Sequence, residues 1–199
     1  MAGLGLHTAL SLALVWRWWR RRETWMLLLA FVLACSALTF VVVILGGRLL
    51  GDSLLAVRAL VLGLAFWALT AASLQFLQIG SRMVHRAAAW GLFVVSVVVV
   101  MAIADGGLAR PGAQRVQCLF ALGLAGLYFW GGRRRPDERL GLAVFSMVAM
   151  AILCAMASWD ALPAPLVRSP GLLPATLFVL ALLRADGRRR RLAAAGGPV

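Results

Sequence analysis

The chain has 199 residues, of which 63% are hydrophobic and 14% are charged, and its formal net charge is +13. A soluble domain carries about 25% charged residues and cannot bury this much apolar surface in one core, so the composition excludes an ordinary soluble protein and indicates a lipid environment. Every basic residue is arginine, and the sequence has neither lysine nor asparagine. That bias is typical of a GC-rich bacterial genome.

Seven apolar runs are candidates for helices that cross roughly 30 Å of hydrocarbon, a distance for which about 20 residues are needed. Backbone groups in lipid must hydrogen-bond within their own segment, so each run is predicted as a helix. In chain order the runs cover residues 4–19, 24–45, 53–77, 87–104, 115–130, 140–159 and 167–183. We therefore expect an all-α membrane protein, with a seven-helix transmembrane bundle over residues 1–186 and a basic tail over residues 187–199.

The first and last runs are the weakest of the seven. The first is short, but it lacks the basic start and the small-residue cleavage site of a signal peptide, so a retained helix is predicted. The seventh is interrupted by Pro174. Crossing is still favoured there, because otherwise the five arginines near the C-terminus would lie outside the cell.

Arginine is concentrated on alternate loops between the predicted helices. Fifteen of the 20 arginines lie in the turns after the first, third and fifth helices and around the C-terminal tail. The opposite side holds only five, Arg48, Arg58, Arg110, Arg115 and Arg168. Because the arginine-rich side of a membrane protein faces the cytoplasm, the N-terminus is predicted outside and the C-terminus inside. The predicted location is the bacterial inner membrane, with multiple crossings.

The stretch VWRWWRRRETW, residues 15–25, allows two interpretations. Arginines interleaved with tryptophans are found where proteins bind single-stranded nucleic acid. They also mark a tight cytoplasmic turn, in which tryptophans lie at the membrane interface and arginines fix the orientation. The second interpretation is favoured, because the basic residues do not form one continuous face. The expected partner is the bilayer, with anionic lipids at the cytoplasmic arginines, and no nucleic acid is expected.

The residue types present give little support for a cofactor or a metal site. His7 and His85 are predicted on opposite faces of the membrane and therefore cannot ligate one haem together. The three cysteines, Cys35, Cys118 and Cys154, have no C-x-x-C spacing and are interpreted as packing residues. No lysine is present to form a retinal Schiff base, and no helix carries a carboxylate at mid-membrane. We predict no cofactor, no metal site and no catalytic residue.

Six residues are candidates for binding a ligand. Arg58 lies about one turn inside the third helix, where it either reaches the headgroups, pairs with an acidic residue such as Asp160, or binds an anion. Gln75 and Gln78 are predicted one turn apart on the cytoplasmic half of the same helix, with Thr70 nearby. They either bond neighbouring helices or line a small pocket together with Trp67.

The sequence also contains a faint internal repeat. The first helix ends in aromatic residues followed by Arg20–Glu23, and the fifth ends in YFWGG followed by Arg133–Glu138. Helices one to three are thus a candidate parallel repeat of helices five to seven, an arrangement that occurs in some small transporters.

An external N-terminus, a first hairpin in which RRRETW joins two aliphatic helices, and a basic cytoplasmic tail after seven helices together resemble membrane sensor modules of bacterial signalling proteins. The nearest are the seven-transmembrane diverse intracellular signalling family and similar input regions of diguanylate cyclases and histidine kinases. The resemblance covers nearly the whole chain but rests on topology, so it assigns no site residue.

The resemblance implies a non-enzymatic sensory or ligand-binding module that signals to a cytoplasmic partner. The chain departs from the pattern because it reaches Val199 without a catalytic output domain. Either a partner supplies the output, or the resemblance is only architectural. The alternative is a small permease or lipid-handling membrane protein. The sequence leaves the oligomeric state open, a homo-oligomer included.

Overall fold

The computed structural model describes residues 2–46, 53–79, 110–159 and 172–195, together with Gly91 and Val94. These residues form six α-helices, one short 3₁₀ turn and no β-strand, which confirms the all-α prediction. The helices are α1 (Ala2–Arg21), α2 (Thr24–Gly46), α3 (Ser53–Phe76), α4 (Arg110–Arg134), α5 (Gly141–Ser158) and α6 (Leu172–Ala194), and the 3₁₀ turn (Pro136–Glu138) lies between α4 and α5.

Four of the helices, α1, α2, α3 and α5, match the predicted apolar runs to within two residues at either end. Helix α4 is longer than its run at both ends, and α6 continues through the first arginines of the predicted tail. Pro174 does not interrupt α6 but lies in its first turn, where a proline removes no helical hydrogen bond. The predicted helix over 87–104 lies outside the described residues except for Gly91 and Val94, both of which are helical.

Among the described residues, one helix is long and apolar enough to cross a membrane by itself. This is α5, whose 18 residues contain no charged side chain. Only a third of this segment is buried inside the protein, and its exposed residues include Leu142, Phe145 and Ile152. Two further apolar helical stretches, Thr24–Leu38 and Gly63–Phe76, are shorter.

The chain divides into two compact units, residues 1–113 and residues 114–199. In the first unit α2 packs against both α1 and α3. Polar side chains bond α1 to α2: His7 Nδ1 lies 3.1 Å from Ser36 Oγ, and Ser11 Oγ donates to the Ala30 carbonyl at 2.9 Å. His7 is thus a buried packing residue, and the two hydrogen bonds join α1 to α2.

Small side chains lie in the interior beside α3. Ala68 and Ala72, one turn apart on this helix, have no exposed surface. Near the end of α3 the rings of Trp25 and Phe76 meet edge to face, with centroids 5.1 Å apart. Alanines at this spacing allow two helix backbones to approach closely, and the aromatic pair fills the wider space beyond them.

Helix α3 ends sooner than the sequence suggested. Its last residue is Phe76, and Gln78 adopts a left-handed conformation with φ of 52°. The Ile79 amide donates to the Leu74 carbonyl and the Gln78 amide donates to the Gln75 carbonyl, both at 3.1 Å. This is the Schellman arrangement, which satisfies the last carbonyls of a helix. The prediction that Gln75 and Gln78 share one helical face is therefore wrong, because the chain reverses between them.

In the second unit α5 packs against α6, and α6 also contacts the 3₁₀ turn. Helix α4 is joined to α6 by an edge-to-face pair of Tyr128 and Phe178, whose ring centroids are 5.1 Å apart. It is joined to α5 by the Cys154 thiol, which lies 3.5 Å from Gln117 Oε1. The unit is therefore a three-helix assembly with the arginine-rich turn at one end.

Candidate functional site

The sequence-predicted ligand residues do not converge on one described site. Trp67 and Thr70 are half-buried and lie one turn apart on α3. Gln75 is also half-buried but is rotated by about 140° from Thr70 around the helix. Gln78 lies beyond the helix and is exposed.

The structure gives no side-chain geometry for the two remaining candidates, Arg58 and Asp160. Arg58 belongs to α3, but its side chain lies outside the described residues, as does all of Asp160. One feature of α3 does stand out, because Thr70 Oγ1 is buried and forms no hydrogen bond within the described part of the chain. A buried hydroxyl without a partner is costly, so Thr70 stays a candidate for contact with a ligand or another helix.

The structure instead draws attention to the two arginine turns. In the first, at the end of α1, the guanidinium of Arg20 lies 4.0 Å from the ring centre of Trp16, and that of Arg22 lies 4.7 Å from Trp19. The backbone of Arg22 is left-handed, with φ of 58°. Glu23 Oε2 accepts a hydrogen bond from Trp25 Nε1 at 2.8 Å.

The second turn, between α4 and α5, repeats these features. Arg133 lies 4.9 Å from the ring centre of Phe129, and Arg134 lies 3.8 Å from that of Trp130. Arg139 is left-handed, with φ of 48°. Both turns thus stack an arginine on the aromatic residue one helical turn before it, and both reverse the chain at an arginine.

The acidic residue of the second turn is buried and doubly paired. Glu138 is 7% exposed, and its Oε1 accepts from Arg189 Nη2 at 2.8 Å and from Arg135 Nη1 at 3.3 Å. Its other oxygen, Oε2, has no hydrogen-bond partner among the described residues. A buried carboxylate requires such partners, so these contacts fix α6 against the turn.

The arginines of α6 fall into two groups. Arg189 pairs with Glu138, and Arg190 pairs with Asp186 at 3.1 Å. Arg184, Arg188 and Arg191 have no ion pair within the described residues and lie on one side of the helix, within about 60° of each other. The exposed leucines Leu173, Leu177 and Leu180 continue the same stripe toward the start of α6. One exposed face of α6 therefore changes from leucine to arginine along its length.

A cleft of about 250 Å³ lies beside the second turn, and we call it the arginine cleft. The end of α4 contributes Tyr128 and Arg133, the turn contributes Arg139, and the start of α5 contributes Gly141. Apolar residues complete the lining, and none of its described members is acidic. Sequence reasoning missed this cleft because it treated the run from Arg133 to Arg139 only as a signal of membrane orientation.

Metal-ligating and thiol residues add no second site. Within the described residues, no group of three histidine, cysteine or carboxylate side chains lies close enough to hold a metal ion. Cys35 and Cys154 are buried and Cys118 is partly buried, and none forms a disulfide.

Comparison with known proteins finds no relative whose residues could be compared with these sites. No protein-family model, no curated protein and no solved structure matches the chain. The class that the described residues define is an all-helical protein with one helix able to cross a membrane.

Proposed function

We propose that this chain is a multi-pass protein of the bacterial inner membrane that acts as a sensory or ligand-binding module and signals to a cytoplasmic partner. The observation that carries the membrane assignment is one face of α4. Six exposed residues follow each other along this face at helical spacing, Arg115, Leu119, Leu122, Gly126, Phe129 and Arg133. The two arginines are separated by about 27 Å of helix, close to the thickness of a bilayer core.

Water would leave this α4 stripe as a costly exposed apolar surface, whereas lipid tails cover it and headgroups receive an arginine at either end. On α6, exposed leucines are likewise followed along one side of the helix by arginines, which would mark one border of the membrane. The arginines stacked on Phe129 and Trp130 at the end of α4 add aromatic side chains at that level, where tryptophan and arginine are typical of membrane proteins. The proposed orientation, with the N-terminus outside, follows from the excess of arginine at this border.

The signalling part of the proposal is supported by the continuity of α6. This helix runs without a break from its leucine stripe to its arginine stripe, and Arg189 fastens it to the turn between α4 and α5. A change of packing among α4, α5 and α6 would thus be carried by a rigid helix to the arginines that a cytoplasmic partner would meet. Signal transmission of this kind would require a second packing arrangement of these helices.

The runner-up, a small permease or lipid-handling protein, is favoured by a different observation. The two arginine turns share stacked aromatic residues, a left-handed arginine and a bonded glutamate. These shared features support a parallel repeat of two three-helix units, with the predicted helix over 87–104 between them. Parallel repeats occur in transporters.

Reporter fusions test the membrane topology. A reporter that is active only outside the cytoplasm should be silent after Arg22, Arg86, Arg139 or Val199 and active after Gly47, Gly107 or Ala164. Activity after Val199 would contradict the seven-span arrangement. Equal silence at all seven points would contradict a multi-pass protein.

A second experiment separates the two functions. Mass spectrometry of gently purified protein identifies small molecules that remain bound. Spin labels at Pro136→Cys and Leu192→Cys, in a variant without the native cysteines, then report on the contact of α6 with the turn. A signalling module is expected to change this distance when the identified molecule is added. Transport of the same molecule into proteoliposomes with no change in distance would favour the permease.

A further inference from the structure

We infer that the arginine cleft binds the phosphate headgroup of an anionic phospholipid. This deepens the proposed function, on which it rests, because it names a ligand class and a site for the membrane module. The site is defined by Arg133, Arg139, Tyr128 and Gly141. The inference goes beyond general attraction of arginines to an anionic leaflet, since it assigns one lipid to one cleft.

Charge is the first argument. Two arginines line the cleft, and neither has an ion pair among the described residues, although Arg133 stacks on Phe129. The nearby carboxylate of Glu138 is already held by Arg135 and Arg189. The first turn of α5, which borders the cleft, contains no acidic residue, so its positive end adds to the field. A phosphate oxygen is the acceptor that guanidinium groups bind best.

Position is the second argument. Arg133 is also the last residue of the α4 stripe, so the cleft lies at the level proposed for the headgroups. Phe129, one turn earlier, is both a cleft residue and a member of the apolar stripe. A lipid with its phosphate between the two arginines could thus lay an acyl chain along Phe129 and Leu122. A soluble phosphate would contact the arginines but would leave the apolar lining uncovered.

The backbone of the turn is the third argument. Arg139 is held in a left-handed conformation, which is unfavourable for a non-glycine residue. Glycine would fill this position with less strain. An arginine there is exposed on the cleft, which is consistent with a binding role for its side chain.

Native mass spectrometry of the full chain in detergent tests the inference, with phosphatidylglycerol and phosphatidylcholine of identical acyl chains as probes. The unaltered protein should bind one phosphatidylglycerol at least about tenfold more tightly than phosphatidylcholine. Arg133→Gln and Arg139→Gly should each weaken the binding of phosphatidylglycerol by about fivefold. This factor corresponds to the contribution of one arginine near an anionic headgroup. Arg139→Gly should keep the fold, because glycine favours the same backbone conformation.

Two further variants make the result specific. Arg115→Gln removes the same charge from the other end of α4, outside the cleft, and should leave binding unchanged. Gly141 lines the cleft, and a Cβ added there meets no atom within 4 Å, so Gly141→Phe is designed to occupy the cleft without altering charge. This variant should weaken phosphatidylglycerol binding by at least about fivefold while its thermal melting stays close to that of the unaltered chain.

Several outcomes would overturn the inference. These are equal affinity for the two lipids, equal loss in Arg115→Gln and Arg133→Gln, or unchanged binding in Gly141→Phe. Displacement of the lipid by inorganic phosphate at micromolar concentration would identify a soluble anion as the ligand instead. Since the measurement is made in detergent, it can fail while the reporter fusions support the proposed topology, and it can succeed while they contradict it.

Discussion

Arg189 on α6 binds Glu138 in the turn between α4 and α5, with Nη2 2.8 Å from Oε1, although 51 residues separate them in the chain. Glu138 is almost fully buried, whereas the side chain of Arg189 is 19% exposed. The pair therefore joins the last helix of the second unit to its arginine-rich turn. It also gives a charged partner to a carboxylate that is almost completely removed from water.

Loss of Arg189 should destabilise the second unit. Arg189→Gln leaves Glu138 with Arg135 alone, and we expect a loss of about 2 kcal/mol, less than for a fully buried pair that loses its only partner. Thermal melting in detergent measures the effect. Arg188→Gln is the matched control, since Arg188 has no ion pair among the described residues, and it should change stability by less than about 0.5 kcal/mol. Equal melting of the two variants would show that the pair does not hold α6.

Close packing of α3 should make Ala72 intolerant of a larger side chain. Ala72→Leu adds three carbon atoms at a position with no exposed surface, and we expect a loss of about 1–3 kcal/mol from overpacking. Ala71→Leu places the same side chain at the neighbouring, half-buried position and should cost clearly less. The difference in melting temperature between the two variants is the measurement, and no difference would contradict the packing described for α3.

Glycine substitutions at Gln75 and Gln78 should change the stability of the protein in opposite directions. Gln78→Gly relieves a left-handed residue at the end of α3 and should stabilise the protein by about 0.5 kcal/mol. Gln75→Gly lies within the last turns of the helix and should destabilise by up to about 1 kcal/mol. Denaturant titration of both variants checks this. Destabilisation of similar size at both positions would mean that Gln78 continues the helix.

A charge in the middle of the α4 stripe should oppose insertion into the membrane. Leu122 is exposed and lies near the midpoint between Arg115 and Arg133. In lipid, Leu122→Arg should cost about 2.5–3.5 kcal/mol and reduce the amount of protein in the membrane fraction. Ala195→Arg, beyond the leucine-to-arginine border of α6, is the control and should have little effect. If α4 faced water, Leu122→Arg would be harmless or would raise solubility.

The pattern of apolar runs in the sequence was sufficient to predict the described helices and most of their ends. Long apolar runs can satisfy their backbone hydrogen bonds in lipid only as helices, so α2 and α5 follow directly from their composition. The ends of α1 and α4 were predicted less well, because both helices continue into the arginine runs that end the apolar pattern. The seven crossings, the orientation and the sensory role stay predictions, since the described residues contain one helix that qualifies as a span by length and composition.

Tertiary structure decided what the arginines do. In the sequence, Arg188, Arg189 and Arg190 are equivalent members of one basic run. In the fold, helical rotation of about 100° per residue directs Arg189 toward buried Glu138 and Arg190 toward Asp186, while half-buried Arg188 has no ion pair among the described residues. The ends of α3 and of the second turn depend in the same way on local backbone geometry at Gln78 and Arg139, which residue type did not indicate. Composition therefore indicated the helices, but the pairing of Arg189 with Glu138 depends on a contact between residues far apart in the chain, and the arginine cleft depends on the local fold of the turn between α4 and α5.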